Sequence, residues 1–501
     1  MLKPLITIED WSGGASLNPS QGKKNGYFLA NGADHFSRPG YVAPLPSKQN
    51  FLGPSGAGTV NDTLFCGVRT SRNLENYFGG SSGKIYRQDS SGSVALDHTS
   101  SLSNNVSNMV EYKDNLYFAQ LESVGRGDLA SGSNPITYTD NWQSLSFSTW
   151  KPMVVSSDNN LYIGHGYYVA QTDGSAWNAQ ALNLPTDYTI QDMDNFGIGY
   201  LAIAGNSSNS TKTAKVFFWD RVATTWNNET PIPEANIYSM LFVNGFLWIL
   251  AGTRNVSLYV IPLGSFTPTK VFEFRDQNAR TYPAVAYPNA ISYRDGRLFF
   301  AISSIYTNLE SFIFPTGVYS TSTTPSSLDL ACHYVNIDDS PTHGHVYYFV
   351  ENLGFTATQT SIYWSEQTTG TSAAKRLYRE SNLPSIDLTP SDSMEIYSFW
   401  YVAPPGTYFY FDGFGFDNYP RETGDFALSY AKDFDLSTFT SIVNSYQTNN
   451  GIGSYKTKSV QCRAIMFKMS VSSGNARADL NSQNYFIKRL YATGILKADT
   501  R

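Results

Sequence analysis

The chain has 501 residues, of which 15% are charged and 15% are aromatic, and its formal net charge is −6. An ordinary soluble domain carries about 25% charged residues. Few charges and many aromatic residues favour β-structure, because aromatic side chains suit pleated surfaces and exposed helices need charge. The chain has no block of Lys and Arg that could neutralise phosphates, so we expect no specific nucleic-acid partner.

The cysteines and the apolar segments indicate a soluble protein without a disulfide framework. Cys66, Cys332 and Cys462 lie far apart and are too few for such a framework, which predicts buried thiols. The amino-terminal apolar run is too short for a signal peptide. The longest apolar segment is interrupted at Asn244 and Gly245 and falls short of a membrane span, so we expect no membrane insertion.

Residues 1–48 combine Gly, Asn, Ser and Pro with isolated aromatic residues, which predicts an extended arm. An extended segment can place isolated aromatic side chains into pockets on another surface. The candidate assembly anchors are therefore Trp11, Tyr27, Phe28, Phe36 and Tyr41. In the alternative, the arm packs on its own neighbouring domain.

Residues 49–380 contain a repeat in which a polar turn is followed by an apolar strand, as in "RDGRLFFAIS". Seven copies align at Leu64, Leu116, Leu161, Leu201, Leu247, Leu298 and Val346. Leu64 and Val346 are six repeats and 282 residues apart, so the period is 47 residues. Blades of β-propellers have periods of about 40 to 50 residues.

Each copy has the features of a blade in a closed ring. Turns such as Asn244-Gly245 and Asp295-Gly296 supply the positive φ angles of tight hairpins. The following strand is apolar on both faces, and a second hairpin after it gives four strands per unit. We therefore predict an all-β fold with a seven-bladed β-propeller, with six or eight blades as the alternatives.

Residues 381–501 no longer follow this period. Segments such as "IYSFWYV", "TYFYFDGF", "FALSYA" and "CRAIMFKMSV" are short strands separated by Pro, Gly and Asn turns. This pattern predicts a C-terminal β-sandwich.

The two ends of the chain carry a resemblance. The start "LITIEDWSGGASLNPS" with "GYFLANGADHFSRPGYV", and the later "DFALSYAKDFDLSTFTSI", "CRAIMFKMSV" and "FIKRLYATGI", resemble virion proteins of tailed bacteriophages that bear a propeller in the tail or tail tip. In that family the last segment is usually a sandwich. The residues at matching positions are Arg463, Ile487, Arg489 and Leu490.

The resemblance implies a structural virion component, such as a tail hub, nozzle or tip protein, that acts through assembly and is not an enzyme. Its partners would be other virion proteins and further copies of itself in a homo-oligomer. It would be located in the virion, after assembly in the host cytoplasm. The arm would then dock on a neighbouring subunit or virion protein.

Several segments spell catalytic or binding motifs without their structural context. "GGSSG" around Ser81 precedes a strand where a nucleophile elbow needs a helix, and "GIGYLA" at Gly197 has no helix for a dinucleotide. "DMDNFG" at Asp192 lacks the later ligands of a calcium loop. The histidines of "HGH", with His333, lack a fourth ligand, so we expect no metal, no cofactor and no catalytic residue.

Carbohydrate chemistry is the alternative function. Some propellers are glycosidases with paired carboxylates in the central tunnel. "TDGSAW" resembles a sialidase Asp-box, but the spacing from Asp173 to Trp177 is one residue too short. The many Tyr and Trp residues could bind a host surface glycan, although blade packing uses the same residues. A carbohydrate-binding or glycan-cleaving propeller, for example a receptor-binding tail protein, therefore remains open, as does a cellular interaction scaffold.

Overall fold

The computed structural model describes an all-β chain. The described residues are 4–16, 26–27, 29–34, 43–44, 48–50, 62–89, 92–132, 134–253, 255–274, 284–303, 316–336, 345–354, 359–368, 375–380, 394–419, 425–435, 438–447, 452–472 and 486–498. Within them, the helical segments are two 3-10 turns, Ser81–Gly83 and Leu129–Ser131. No helix in these ranges is long and apolar enough to cross a membrane.

Seven four-stranded antiparallel sheets form the blades of a β-propeller, as the sequence predicts. Within a blade the strands follow one another in space in chain order from the centre outwards. Blade 1 consists of Leu64–Arg69, Asn76–Gly80, Lys84–Gln88 and Val94–Thr99. Blade 2 consists of Asn108–Tyr112, Asn115–Gln120, Ser123–Asp128 and Thr137–Ser144. Blade 3 consists of Met153–Val155, Leu161–His165, Tyr168–Thr172 and Trp177–Asn183.

Blades 4 to 7 continue the same order, apart from the last strand of blade 7. Blade 4 consists of Tyr188–Phe196, Tyr200–Ser207, Lys215–Trp219 and Asn228–Pro231. Blade 5 consists of Asn236–Val243, Phe246–Gly252, Val256–Pro262 and Thr269–Phe274. Blade 6 consists of Ile291–Arg294, Arg297–Ile302, Thr316–Ser322 and Ala331–Asn336. Blade 7 consists of His345–Gly354, Thr360–Thr368, Lys375–Glu380 and Lys48–Asn50.

The outermost strand of blade 7 comes from the amino-terminal segment. Lys48–Asn50 pairs antiparallel with Lys375–Glu380, so that Asn50 lies opposite Tyr378 and Lys48 opposite Glu380. The chain then enters the innermost strand of blade 1. The first and last parts of the propeller are thus joined in one sheet, which closes the ring by backbone hydrogen bonds.

The residues aligned in the sequence repeat lie in the second strand of five blades and in the innermost strand of the other two. Residues in the second strand of blades 2 to 6 are Leu116, Leu161, Leu201, Leu247 and Leu298. Leu64 and Val346 lie instead in the innermost strands of blades 1 and 7. Both are buried, and an inner strand covered on both faces has the same apolar pattern as the second strand, so hydropathy alone does not separate them.

The hairpin turns take the predicted backbone geometry. Asn244 and Gly245 have φ angles of 51° and 81°, and Asp295 and Gly296 have 49° and 82°. In blade 2 the positive φ angles fall one residue earlier than the Asp-Asn pair, at Lys113 and Asp114.

The C-terminal residues form two facing sheets, as predicted. One sheet has the order Pro4–Ile8, Phe486–Ala498, Thr407–Tyr419 and Ile452–Cys462. The other has the order Thr440–Gln447, Asp425–Lys432, Ala464–Ser472, Met394–Tyr397 and Leu29–Asn31, and Tyr401–Val402 pairs with its Ala464–Ser472 strand. Aromatic side chains from the two sheets pack against each other in the interior. The ring centroid of Phe414 lies 5.6 Å from that of Phe467 and 6.0 Å from that of Tyr430.

The amino-terminal segment is part of this sandwich, which differs from the expectation of a separate arm. Pro4–Ile8 is an edge strand of one sheet, and Leu29–Asn31 is an edge strand of the other. The segment also contacts blade 6, where the backbone N–H of Gly32 donates to the carbonyl oxygen of Cys332 at 3.0 Å. Edge strands of a sandwich offer unpaired backbone groups, and these two amino-terminal strands pair with them within their own chain.

Candidate functional site: the central channel

The innermost strands of all seven blades line one cavity on the propeller axis, with a volume of about 360 Å³. Its wall is mostly neutral and includes four methionines. The polar and charged side chains that line it are Arg69, Asn108, Asp192, Asp194, Ser239, Asn289, Ser292, Glu351 and Asn352. Three acidic residues and one arginine therefore line the same channel.

Asp192 lies on the innermost strand of blade 4 and binds the innermost strand of blade 5. Its Oδ2 accepts hydrogen bonds from the backbone N–H of Met240 at 2.6 Å and from the Ser239 hydroxyl at 3.2 Å. Its Oδ1 accepts a third from the backbone N–H of Met193 at 2.8 Å. Innermost strands of neighbouring blades belong to different sheets, so this carboxylate supplies an acceptor that backbone pairing does not.

Asp194 repeats the arrangement two residues further along the same strand. Its Oδ2 accepts from the backbone N–H of Phe242 at 2.6 Å, and its Oδ1 accepts from the backbone N–H of Asn195 at 2.7 Å. Residues at i and i+2 of a strand point to the same face, and the N–H groups of Met240 and Phe242 have the same spacing. The two aspartates therefore bridge blades 4 and 5 in register.

Asparagines make similar bridges, one between the same blades 4 and 5 and one between blades 1 and 7. Asn206 exchanges two hydrogen bonds with the backbone of Ile237, at 2.7 and 2.9 Å. Asn76 does the same with Gly354, at 2.9 and 2.6 Å, and so links blade 1 to blade 7. Bridging the blades is thus a general use of polar side chains near the axis, which indicates a structural role for Asp192 and Asp194.

Burial in the channel wall changes the acidity of the three carboxyls. Burial raises the pKa of Asp192 to about 7, against the hydrogen bonds from Met240 and Met193 that lower it. Burial also raises the pKa of Asp194 to about 6. Burial and the nearby Asp192 charge raise the pKa of Glu351 to about 8.

Glu351 differs from the two aspartates in its hydrogen bonding. It lies on the innermost strand of blade 7, and its side chain forms no hydrogen bond with any residue that the structure describes. An acid with a raised pKa beside a carboxylate is the pair that glycoside hydrolysis uses. For metal binding, the described ranges contain no group of three or more His, Cys, Asp or Glu side chains suited to an ion.

Two of the five proposed assembly anchors are buried in the core of their own chain. Trp11 and Tyr27 have no exposed surface, and their rings lie 6.4 Å apart in the core that joins the amino-terminal segment to the sandwich. Their side chains therefore serve the core of their own chain, because a buried ring cannot enter a partner's pocket. Phe28, Phe36 and Tyr41 lie outside the residues whose side chains the structure describes.

The segment "TDGSAW" forms the turn between the third and fourth strands of blade 3. The Oδ1 of Asp173 accepts from the backbone N–H groups of Ser175 and Ala176 at 2.8 and 2.7 Å. The indole of Trp177 packs edge-on against that of Trp142, with 5.5 Å between ring centroids. Asp173 therefore stabilises the turn, and Trp177 takes part in packing between blades 2 and 3.

The other motif residues also have local partners. Ser81 begins a 3-10 turn and donates to Asp62 at 3.1 Å, and Gly197 sits in a hairpin turn with a φ of 64°. The His345 Nδ1 lies 2.6 Å from Glu366, and both residues are buried. His343 lies outside the described residues.

His333 belongs to a buried chain of polar groups between blades 6 and 7. Its Nε2 lies 2.7 Å from the Ser320 hydroxyl, and its Nδ1 lies 2.6 Å from Glu380. The order of hydroxyl, imidazole and carboxylate is that of a hydrolase triad. However, Ser320 has no exposed surface, and its oxygen also accepts from the Arg297 Nε at 2.9 Å, so it has no access to a substrate.

The channel carboxylates were only partly foreseeable from the sequence. "DMDNFG" drew attention to Asp192 and Asp194 as rejected calcium ligands, and alternation along a strand would have placed both on one face. Glu351 gave no signal, because the repeat copy at Val346 in its strand is shifted relative to blades 2 to 6 and the other channel residues are remote in sequence.

No protein-family model and no curated protein matches the chain. Among solved structures it is similar to the RRP9 WD40 repeats, with 11% identity, a TM-score of 0.47, and coverage of 67% of this chain and 98% of that chain. It is also similar to the Myceliophteria thermophila Cps50 (Swd1) β-propeller domain, with 12% identity, a TM-score of 0.45, and coverage of 67% and 100%. A third is the virginiamycin B lyase from Staphylococcus aureus, with 10% identity, a TM-score of 0.43, and coverage of 66% and 97%.

The sheets of the chain itself define its class. It is a seven-bladed β-propeller protein whose ring is closed by an amino-terminal strand, with a C-terminal β-sandwich.

Proposed function

We propose that the chain is a structural component of a tailed-bacteriophage virion, a tail hub, nozzle or tip protein that acts through assembly and not through catalysis. The sequence resemblance at both ends of the chain is the source of this proposal. The structural observation that carries it is that the described strands Pro4–Ile8, Leu29–Asn31 and Lys48–Asn50 contribute to both sandwich sheets and to blade 7. Shared sheets couple the two units more firmly than a linker does, which suits a part that transmits force in a particle.

The polar groups of the channel are consistent with a non-enzymatic role. The oxygens of Asp192 and Asp194 accept backbone hydrogen bonds that hold blades 4 and 5 together. A catalytic carboxylate must instead reach a substrate. The buried Ser320 and His333 likewise serve the contact between blades 6 and 7.

The partners under this proposal are other virion proteins and further copies of the same chain. The described residues include exposed aliphatic side chains at the tips of adjacent blades, with Ile198 at 85%, Val222 at 89% and Leu263 at 54% exposure. Exposed aliphatic clusters of this kind occur at protein interfaces. They are candidate contacts in the assembled particle.

The test is an amber mutation in this gene in the phage that carries it. On a non-suppressor host we expect non-infectious particles that lack this chain and have an incomplete or non-adsorbing tail. The same mutation on a suppressor host is the matched control and restores infectivity. Normal infectious particles on both hosts would overturn the proposal.

The alternative function, binding or cleavage of a host surface glycan, is favoured by one observation. Glu351 lines the channel and forms no hydrogen bond with a described residue, and burial and the Asp192 charge raise the pKa of its carboxyl. A panel of host surface glycans and glycosides should detect binding or cleavage by the purified chain. Cleavage that is lost in Glu351→Gln and kept in Glu229→Gln, a surface variant, would favour this alternative over the assembly role.

A further inference from the structure

The hairpin turns of blades 4 and 5 expose three large aliphatic side chains close together. They form the blade cluster, which consists of Ile198 at 85%, Val222 at 89% and Leu263 at 54% exposure. Leu263 packs on the turn that carries Ile198, since its Cδ1 would lie only 2.8 Å from a Cβ atom placed on Gly197. Contiguous exposed apolar side chains of this kind mark interaction sites.

Hydrogen bonds hold the blade cluster in place. The Arg221 guanidinium donates to the carbonyl oxygen of Ile198 at 2.6 Å and to the Ser156 hydroxyl at 2.8 Å. It therefore ties the two turns of blade 4 to each other and to blade 3. The Oδ1 of Asp220 accepts from the backbone N–H of Val222 at 2.9 Å. Side chains on turns that are already fixed lose little freedom on binding, which favours association.

The sandwich exposes a second apolar group, the sandwich cluster, which consists of Trp400, Val402 and Phe434. Val402 is 57% exposed and Phe434 is 55% exposed, and the ring centroid of Phe434 lies 5.1 Å from that of Trp400. Phe434 has a φ of 66°, in the left-handed region that favours glycine. A bulky residue in this conformation is strained, and such strain is typical of functional positions.

One segment of backbone holds the sandwich cluster together. The Oδ1 of Asp433 accepts from the backbone N–H of Arg463 at 2.7 Å, and the Asp433 N–H donates to the carbonyl oxygen of Ala464 at 2.9 Å. Val402 pairs with Ala464 in the sheet. The turn that carries Phe434 and the strand that carries Val402 are therefore fixed to the same two residues.

The charges beside the two clusters complement each other. Asp158 and Asp220 lie in turns that adjoin the blade cluster, where the Arg221 side chain is only 9% exposed and is engaged in its internal hydrogen bonds. Lys432 and Arg463 are exposed beside the sandwich cluster. Opposite charges that flank two apolar surfaces favour their contact and fix its orientation.

Contact between two identical clusters is less favourable. Two blade clusters would bring Asp158 and Asp220 of one copy against the same residues of another, and like charges oppose association. The sandwich cluster also adjoins Asp433 and Asp435, which are exposed. The Asp433 carboxylate accepts from two backbone N–H groups of its own sheet, so that turn is left with a positive side chain at Lys432.

We propose that copies of this chain associate head to tail, with the blade cluster of one copy packed against the sandwich cluster of the next. In this contact the aliphatic side chains lie on the exposed Phe434 ring, and Lys432 and Arg463 face the aspartates of the blade turns. The contact is heterologous, so it repeats from copy to copy and builds a closed ring or an open filament. The inference concerns contacts between copies and does not depend on the proposed place of the chain in a virion.

The experiment is analytical ultracentrifugation of the purified full chain and of two variants, Ile198→Asp and Phe434→Asp. The native chain should form oligomers, and each variant alone should be monomeric, because the contact would bury an unpaired carboxylate. Both replaced side chains are exposed, and Asp tolerates the positive φ of residue 434, so both variants should keep the native melting temperature.

A mixture of the two variants separates this contact from the alternatives. The Phe434→Asp chain keeps its blade cluster, and the Ile198→Asp chain keeps its sandwich cluster. An equimolar mixture should therefore form a one-to-one dimer and nothing larger. A contact between two identical clusters would instead leave one of the variants with the native oligomer when it is alone.

The matched control is Leu96→Asp, which replaces a leucine of 52% exposure on the outer strand of blade 1, an element that carries neither cluster. It should form the native oligomer. The proposal is wrong if the native chain is monomeric, in which case the clusters bind a different protein. It is equally wrong if either Ile198→Asp or Phe434→Asp alone retains the native oligomer, or if their mixture stays monomeric.

Discussion

The carboxylate of Asp194 in blade 4 accepts a hydrogen bond of 2.6 Å from the backbone N–H of Phe242 in blade 5. The two residues are 48 positions apart, about one repeat of the sequence. The contact joins two sheets that share no backbone pairing. The closed ring therefore depends on side chains near the axis as well as on the strand that closes blade 7.

Replacing Asp194 with alanine should destabilise the fold. The N–H groups of Phe242 and Asn195 would lose their acceptor, which costs about 1 to 3 kcal/mol for a buried group. Chemical denaturation of both chains measures the difference. Asp187→Ala, which removes a surface carboxylate paired with Lys212, is the control and should change little. Equal effects of the two variants would mean that the bridge between blades is unimportant.

Trp11→Ala should lower the stability of the isolated chain. The indole has no exposed surface, and truncation of a buried tryptophan costs about 3 to 5 kcal/mol. Phe434, which is 55% exposed, provides the matched aromatic control, and Phe434→Ala should leave the melting temperature almost unchanged. A stable Trp11→Ala chain that fails only in particle assembly would instead support the role of docking anchor.

A chain that begins at Phe51 should not reach the native fold. It lacks Lys48–Asn50 of blade 7 and the strands Pro4–Ile8 and Leu29–Asn31 of the sandwich. Loss of cooperative thermal unfolding and of protease resistance is the expected result. A truncated chain that unfolds cooperatively at the native temperature would show that these strands are dispensable.

Gly296→Val should strain the hairpin of blade 6. Gly296 has a φ of 82°, and a Cβ atom there would meet open space, so the cost is conformational and not a clash. A β-branched residue at such a position costs about 1 to 3 kcal/mol. Gly296→Asn is the control with a smaller loss, because Asn tolerates positive φ. If both variants have the native melting temperature, the turn does not constrain the fold.

Lys151→Met should be destabilising although it removes no ion pair. The buried ammonium donates to the carbonyl oxygens of Phe147 at 2.6 Å, Thr149 at 3.1 Å and Leu121. The variant removes the donor shared by these three carbonyl oxygens, and a hydrogen bond from a charged group contributes about 1.5 to 3 kcal/mol. Urea denaturation of Lys151→Met should show a clear loss of unfolding free energy. Lys212→Met, at an exposed site, should not, and a similar result for both would contradict this account of Lys151.

The propeller was predictable because its repeats are local. The turn at Asp295-Gly296 and the apolar strand from Leu298 fix a hairpin within a few residues, and seven such hairpins give the blade count. The closure by Lys48–Asn50 was not predictable, because three polar residues carry no strand signal and their partners lie more than 300 residues away.

The sites were less accessible to sequence reasoning. Trp11 and Tyr27 stand isolated in a polar segment, and only the folded chain shows that the sandwich supplies the surface that buries them. Spacing also could not reveal that Glu351 and Asp192 line the same channel, because residues from distant repeats come together only when the ring closes. The hydropathy pattern predicts which side chains are buried, but it does not predict which buried side chains contact each other in the folded chain.

The most direct test of the central claim is an electron cryo-microscopy map of purified particles from the phage that carries this gene. The account predicts density in the tail for a seven-bladed propeller whose outermost strand in blade 7 is residues 48–50, joined to a two-sheet sandwich. Purified, infectious particles whose map and protein content lack this chain would contradict it.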